Sequence, residues 1–226
     1  EKAYLYAIPY EYYEKYNIRR YGFHGTSHMY VSRETIKFGK LKEDAKVIVC
    51  HLGNGASISA SVGGKCVDTS MGFTPLEGLV MGTRSGDIDP AIVQYICKKE
   101  NKTVDEVINI LNKKSGLIGM SGISSDYRDL KANMESGNEA AKRALDTMKY
   151  RIAKYIGSYM VALGGVDAIT FTAGMGENQT ELREDICKYL TFLDIKLDKD
   201  RNNVRDKATL ISTDDSKVKL FMIPTN

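Results

Sequence analysis

The chain has 226 residues, 42% hydrophobic and 27% charged, with a formal net charge of +3. That is an ordinary globular composition, and the length suits one large domain or two small ones. Lysines are dispersed in pairs such as Lys98-Lys99 and Lys113-Lys114, with no basic run, so nucleic acid is not expected as a partner. No apolar run approaches the ~20 residues of a membrane span and no signal peptide is visible, so no membrane partner is expected. Of the four cysteines, none forms a Cys-x-x-Cys pair. Cys50 and Cys97 lie in apolar patterns, which predicts reduced, buried thiols in a cytoplasmic protein and no zinc site.

In chain order, Pro9 to Tyr16 reads as a short helix, with Pro near its first turn. Ile18 to Phe23 reads as extended. His24-Gly25-Thr26-Ser27-His28 enters a helix that runs to Phe38, where Gly39 stops it. Val47–Cys50, Ser57–Val62 and Lys65–Asp68 read as strands. The first is buried. The second alternates Ser57, Ile58, Ser59, Ala60 and is expected to be half-exposed. Gly53-Asn54-Gly55 joins the first two strands, and Gly63-Gly64 joins the last two. Helices follow over Asp89–Glu100, where Asp89 caps and Pro90 takes the first position, and over Thr103–Lys113, where Thr103 and Glu106 form a capping box. Asn138–Leu163 is the longest predicted helix. Its stripe of Ala141, Leu145, Met148, Ile152, Tyr155 and Tyr159 suits either the core or a subunit interface. Val166–Phe171 (strand), Glu177–Leu190 (helix) and Val218–Ile223 (strand) complete an α/β or α+β arrangement, one sheet covered by helices.

Glycine is clustered. Gly53-Asn54-Gly55 follows a strand, and such a turn brings backbone N–H groups close to an anion such as phosphate, or simply closes a hairpin. Gly72, Gly78, Gly82 and Gly86 surround Arg84. Gly116, Gly119 and Gly122 lead to Ser124-Ser125-Asp126-Tyr127-Arg128-Asp129. Gly174 and Gly176 follow Ala168–Phe171 and precede Glu177-Asn178. Each small-residue loop is expected to open a helix, whose N-terminus favours negative charge. The three histidines are His24, His28 and His51. Two lie four apart at a helix start, a spacing that can bind metal, but no third ligand is suggested. His28 is expected to be structural and His24 to face a cleft, where it can donate to developing charge. Arg84, uncrowded between Gly82 and Gly86, suits bidentate phosphate binding or a salt bridge to Asp87 or Asp89. Asp126 and Arg128 either hold a nucleotide or cap a helix and pair with Asp129. P-loop, Rossmann, protein-kinase and G-x-S-x-G signatures are absent from the sequence.

Five segments together resemble the acetate kinase family: Arg19 to His28 (RRYGFHGTSH), His51 to Ala60 (HLGNGASISA), Asp68 to Pro90 (DTSMGFTPLEGLVMGTRSGDIDP), Ser121 to Asp129 (SGISSDYRD) and Phe171 to Asn178 (FTAGMGEN). Propionate and butyrate kinases are similar. The resemblance implies a ribonuclease H-like, actin-like ATPase fold of the acetate and sugar kinase/Hsp70/actin superfamily, with a mixed sheet flanked by helices. Residues 1–226 would be its C-terminal nucleotide-binding domain. It implies that His51, Leu52, Gly53, Asn54 and Gly55 contact ATP phosphates. Asp126, Tyr127 and Arg128, with Gly174, Met175, Gly176, Glu177 and Asn178, hold the nucleoside end. His24 and Arg84 stabilise the phosphoryl group, and Phe23 lies near the acyl substrate. Acetate, acetyl phosphate and ATP/ADP are the implied small-molecule partners, with Mg²⁺ and a homodimer. The chain starts at Glu1 without Met and ends just after a strand, so a fragment is expected. The family's catalytic aspartate and acetate-binding arginine would precede it, and the magnesium-binding glutamate would follow it. A non-catalytic ATP-binding or dimerisation fragment is the alternative.

Overall fold

A computed structural model describes residues 2–225. A six-stranded sheet runs in the order β3-β2-β1-β4-β6-β5, with β1 at Lys46–Leu52, β2 at Ala56–Val62, β3 at Lys65–Thr69, β4 at Ala168–Thr172, β5 at Thr209–Leu210 and β6 at Lys219–Met222. β1, β2 and β3 form an antiparallel meander; β4 then joins β1 in parallel, β6 joins β4 in parallel, and β5 returns antiparallel on the edge. This is a mixed α/β sheet flanked by helices, as expected.

The central strand explains the layering. Val47, Ile48, Val49 and Cys50 are all fully buried, as a β-branched run covered on both faces should be. Ile48, Cys50 and Leu52 point to a large core shared with α7 (Glu139–Leu163). Val47 and Val49 point to a smaller core with Val31 of α2 (Gly25–Phe38). On α7, Ala141, Leu145, Met148, Ile152 and Tyr159 are buried in the large core, so the stripe is a core stripe. Tyr155 packs against its margin and donates its hydroxyl to Asp87 (2.5 Å).

Helix ends follow local chemistry. Asn138 caps α7 through the N–H groups of Ala140 and Ala141 (both 3.0 Å). Thr103 and Glu106 form the predicted capping box at the start of α4 (Val104–Lys113). α3 runs Ala91–Glu100 with Pro90 in the N-cap position, one residue later than predicted, and Asp89 accepts from the Ala91 N–H just ahead of it. α1 is shorter than predicted, Glu11–Tyr16.

Several expectations are corrected. Ile18 to Phe23 joins no sheet; Tyr21 donates its N–H to Gly72 O instead. Strand β2 is not half-exposed: Ser57, Ser59 and Ser61 are 0%, 1% and 3% exposed, with His28 of α2 bonding Ser57 and Ser59, and Ser61 donating to Val47 O. Gly116–Ser121 is a short helix, α5, rather than a loop. Gly174 and Gly176 lie inside a helix, α8 (Ala173–Asn178), which begins directly at the end of β4 and is separated at Gln179 from α9 (Thr180–Lys188). Cys97 is half-buried and Cys66 exposed, while Cys50 and Cys187 are buried; all four are free. No helix among the described residues is long and apolar enough to cross a membrane.

Candidate active site

The hairpin loop Gly53-Asn54-Gly55 sits at the tip of β1 and β2, where Leu52 pairs with Ala56. Neither glycine has positive φ, so they serve space rather than turn geometry. A Cβ on Gly55 would stand 3.4 Å from Arg84 Nη1 and 3.6 Å from His24 Nε2. One on Gly53 would meet His51 Nε2 at 4.0 Å and Ala173 Cβ at 3.8 Å. His24 (φ 59°) and Ala173 (φ 64°) both adopt left-handed backbone. Non-glycine residues are held there at a cost of order 1 kcal/mol, and such strain clusters at functional sites.

His51 converges on His24 and His28, which come from an earlier segment. His24 stacks on His51 with centroids 4.1 Å apart at 18°, and His28 lies 5.9 Å from His51. Serine hydroxyls engage four ring nitrogens: Ser57 bonds His24 Nδ1 (2.9 Å) and His28 Nε2 (2.7 Å), Ser59 bonds His28 Nδ1 (2.7 Å), and Ser27 bonds His51 Nδ1 (2.8 Å). The Nε2 atoms of His24 and His51 have no partner among the described residues, and both border the glycine loop. Burial, then the neighbouring His51 and His24, push His28 down to about 3. Burial and His24 push His51 down to about 4. Burial and the Arg84 charge lower His24. All three rings are therefore neutral at neutral pH. His28 is buried and bonded at both ring nitrogens, and His24 borders Gly55; the serines that organise the rings were not singled out by sequence. Their signal was the Ser57, Ser59, Ser61 alternation opposite a helix carrying histidines four apart.

Arg84 forms no salt bridge to Asp87 or Asp89. Its Nη1 donates to Pro75 O (3.2 Å) and touches Met81 Sδ (3.7 Å), while Asp87 accepts from the Gly78 N–H and the Tyr155 hydroxyl. The flanking glycines have other reasons. A Cβ on Gly82 would lie 2.0 Å from Asn54 Oδ1, so Gly82 admits the Asn54 side chain. Gly86 turns with φ +67° against Leu79 O.

Beside the loop lies a cleft of about 660 Å³, within the size range of small-molecule sites. Gly53, Asn54, Asp126, Tyr127, Arg128, Gly174, Met175 and Asn178 line it. The cleft thus brings together residues from three of the five sequence segments. Ser125, Gln179 and Arg205 also line it and were not anticipated; Arg205 carried no motif. Asp126 caps α6 (Tyr127–Glu135) through the Arg128 N–H, and the Arg128 guanidinium folds back on it with bonds of 3.1 and 2.7 Å. Asp129 accepts from Ser124 rather than from Arg128. Leu52, Gly176 and Glu177 face inward instead. Leu52 is in the core. Glu177 accepts from the Ala173 and Thr225 N–H groups, tying the strand-to-helix turn to the last described residue. Phe23, 38% exposed, lines a separate cleft of about 320 Å³ with Met29, His28 and Thr69.

The whole chain, residues 1–226, matches the model of the Acetokinase family. It is 61% identical over its full length to an acetate kinase of Lachnoclostridium phytofermentans, of which it covers 58%. It is also 61% identical to one of Thermotoga maritima, of which it covers 57%. The chain therefore spans somewhat more than half the length of these curated relatives. Among solved structures, Porphyromonas gingivalis acetate kinase superposes with a TM-score of 0.96 at 45% identity, covering all of this chain and 57% of that one. A propionate kinase from Francisella tularensis gives 0.93 at 45% identity, again with 100% and 57% covered. With the family model matched over residues 1–226 and curated relatives 61% identical over the same span, the chain belongs to the acetokinase family.

Proposed function

We propose that residues 1–226 are the C-terminal, nucleotide-binding half of an ATP-dependent phosphotransferase that interconverts acetate and ATP with acetyl phosphate and ADP. The observation that carries this reading is the convergence of Arg84 Nη1 and the free Nε2 atoms of His24 and His51 on the Gly53–Gly55 loop, at the edge of a cleft sized for a nucleoside. The adenosine end occupies the cleft between Asp126–Arg128 and α8. The phosphates run along Gly53-Asn54-Gly55 toward Arg84.

The chemistry follows from that placement. A carboxylate oxygen attacks the γ-phosphorus in line. A new P–O bond forms, the bond to the β–γ bridging oxygen breaks, and its electron pair leaves with ADP. Charge on the transferring group is spread over its equatorial oxygens, and catalysis is positioning plus charge stabilisation. The Arg84 fork neutralises that charge, and a neutral His24 donates a hydrogen bond to it. Magnesium, expected with the nucleotide, takes oxygen ligands, carboxylates foremost. The groups bordering the glycine loop are imidazoles and a guanidinium, and among the described residues no cluster of three or more His, Cys, Asp or Glu is placed to hold a metal. That donor set does not make a magnesium site, and the roles assigned here are those of side chains alone.

The Francisella tularensis propionate kinase neighbour makes propionate the second acyl candidate. Cytoplasmic location and a homodimer complete the proposal. The test is a phosphotransfer assay of the complete protein with acetate, propionate and butyrate. Acetate should give the highest kcat/KM. Acyl phosphate from none of the three would sink the assignment and leave a non-catalytic nucleotide-binding module.

A further inference from the structure

His24, the left-handed N-cap of α2, and His28, in its first turn, both hydrogen-bond the serine side of β2. The result is a continuous hydrogen-bonded chain. Ser59 Oγ lies 2.7 Å from His28 Nδ1, His28 Nε2 lies 2.7 Å from Ser57 Oγ, and Ser57 Oγ lies 2.9 Å from His24 Nδ1. Ser59, His28 and Ser57 are 1%, 5% and 0% exposed, so water does not replace any link.

A hydroxyl donates one hydrogen, and a neutral imidazole carries one N–H. The chain therefore has two consistent polarities. In one, Ser59 donates to His28 Nδ1, His28 Nε2–H donates to Ser57, and Ser57 donates to His24 Nδ1. His24 then carries its proton on Nε2, facing Gly55 beside Arg84 Nη1. In the other, every bond reverses, and His24 presents a bare lone pair at Nε2. A lone pair repels the oxygens of an anionic phosphoryl group, whereas an N–H attracts them.

We propose that Ser57 and His28 are positioning residues for His24: the Ser59–His28–Ser57 chain holds its Nδ1 as an acceptor and so keeps the Nε2–H directed at the phosphoryl site. The proposal rests on the phosphotransfer reading above for what meets that N–H, but the tautomer it specifies is a property of the protein alone. His28 never touches substrate. It acts through Ser57.

Two measurements on the complete protein test it. Histidine-selective ¹⁵N NMR at neutral pH should show His24 protonated at Nε2 and bare at Nδ1, and Ser57→Ala should convert this to a mixture of tautomers. In kinetics, Ser57→Ala should lower kcat by roughly 10- to 100-fold, the effect typical of removing a histidine's orienting partner, with the KM for ATP changed less than about threefold. His28→Gln places an amide N–H near the position of Nε2 and should keep kcat within about fivefold of wild type, whereas His28→Asn is too short to reach Ser57 and should match Ser57→Ala. Ser57→Ala with wild-type kcat, or with His24 still wholly in the Nε2–H form, overturns the proposal. If a His28 variant fails to fold, Ser57→Ala decides alone. A wild-type protein that makes no acyl phosphate removes the phosphotransfer reading, and the tautomer signal in Ser57→Ala still decides whether the chain orients His24.

Discussion

At the scale of single residues, the site is defined by the space around Gly55. Arg84 Nη1 would lie 3.4 Å and His24 Nε2 3.6 Å from any Cβ placed there. Gly55→Val fills the volume proposed for the phosphates, so calorimetric titration with ATP should show binding lost while the thermal melt changes little. Arg84 is held by Pro75 O rather than by a carboxylate, so its charge is available to a ligand. An interaction made chiefly with transition-state charge lowers kcat when removed, with less effect on KM. In the complete enzyme Arg84→Ala should therefore cost on the order of 10³-fold in kcat, as for other arginines in phosphoryl transfer. Arg84→Lys should recover little, because an ammonium lacks the planar fork. Wild-type kcat in Arg84→Ala would remove the residue from the mechanism. Arg84 was legible in the sequence as a lone arginine in a glycine-rich run. Thr172 was not. It is fully buried at the end of β4, next to His51 in the register, and its Oγ1 has no hydrogen-bond partner. An unsatisfied buried hydroxyl costs roughly 1–3 kcal/mol, so the isosteric Thr172→Val should raise the melting temperature of the ligand-free protein. A lower one would mean that the hydroxyl is engaged.

Elements were legible where one periodicity governs them. The meander, α7 and the α4 capping box follow from alternation, an apolar stripe and a four-residue motif. Two elements were misread because tertiary structure overrides the local pattern. The alternating serines of β2 look like a solvent face, yet all three are buried: histidines bond Ser57 and Ser59, and Ser61 donates to Val47 O. The glycines of α8 look like a loop, yet the chain turns at Ala173 and becomes helical at once. What sustains α8 lies outside it in sequence. Arg183, fully buried, donates through Nη1 to Gly176 O and Glu177 O (both 2.8 Å), and through Nε and Nη2 to Asn202 (2.7 and 2.6 Å). Burial lowers this guanidinium to about 10, so it remains charged and bonds the carbonyls at the C-terminal end of the helix, where a cation is favoured. The same side chain joins α8 to α10 (Lys199–Asn202), just ahead of Arg205, which also lines the cleft. Arg183→Met strands these acceptors and should destabilise the protein by on the order of 3 kcal/mol. The check is a urea titration showing a lower midpoint with an unchanged slope, and weaker nucleotide binding under conditions where the variant is folded. An unchanged midpoint would show that the carbonyls find other partners.

For the whole molecule, the convergence of distant segments is what sequence spacing could not show. His24 and His28 open α2, His51 closes β1, and Ser57 and Ser59 come from the next strand. The sheet order brings His51 against the other two rings, with centroids 4.1 Å from His24 and 5.9 Å from His28. Packing three imidazoles there has a consequence for folding as well as for catalysis. His28 is held neutral with its value pushed down to about 3, first by burial and then by the adjoining rings. Its unfolded value is near 6.5. As pH falls through 6.5 the unfolded chain takes up a proton that the folded chain refuses. The stability associated with neutral His28 is thus complete above about 6.5 and declines as pH falls toward 3. A fully buried histidine of this kind contributes a slope of at most about 1.4 kcal/mol per pH unit. The exposed carboxylates with lowered values, such as Asp215, which the Lys196 and Thr213 hydrogen bonds bring to about 2, lose their contribution only below about 4. The window between pH 6.5 and 4.5 is therefore where the histidines dominate the fall, opposed by Asp68, whose carboxyl is raised by burial so that the folded chain keeps a proton the unfolded chain releases. Urea midpoints measured across it should fall steadily in wild type, and His28→Gln, which has no proton to take up at that position, should show a shallower fall. A midpoint that is flat from pH 7 to 4.5 in wild type, or equally steep in His28→Gln, would mean that His28 gains its proton in the folded state and that the buried chain through Ser57 does not hold it neutral.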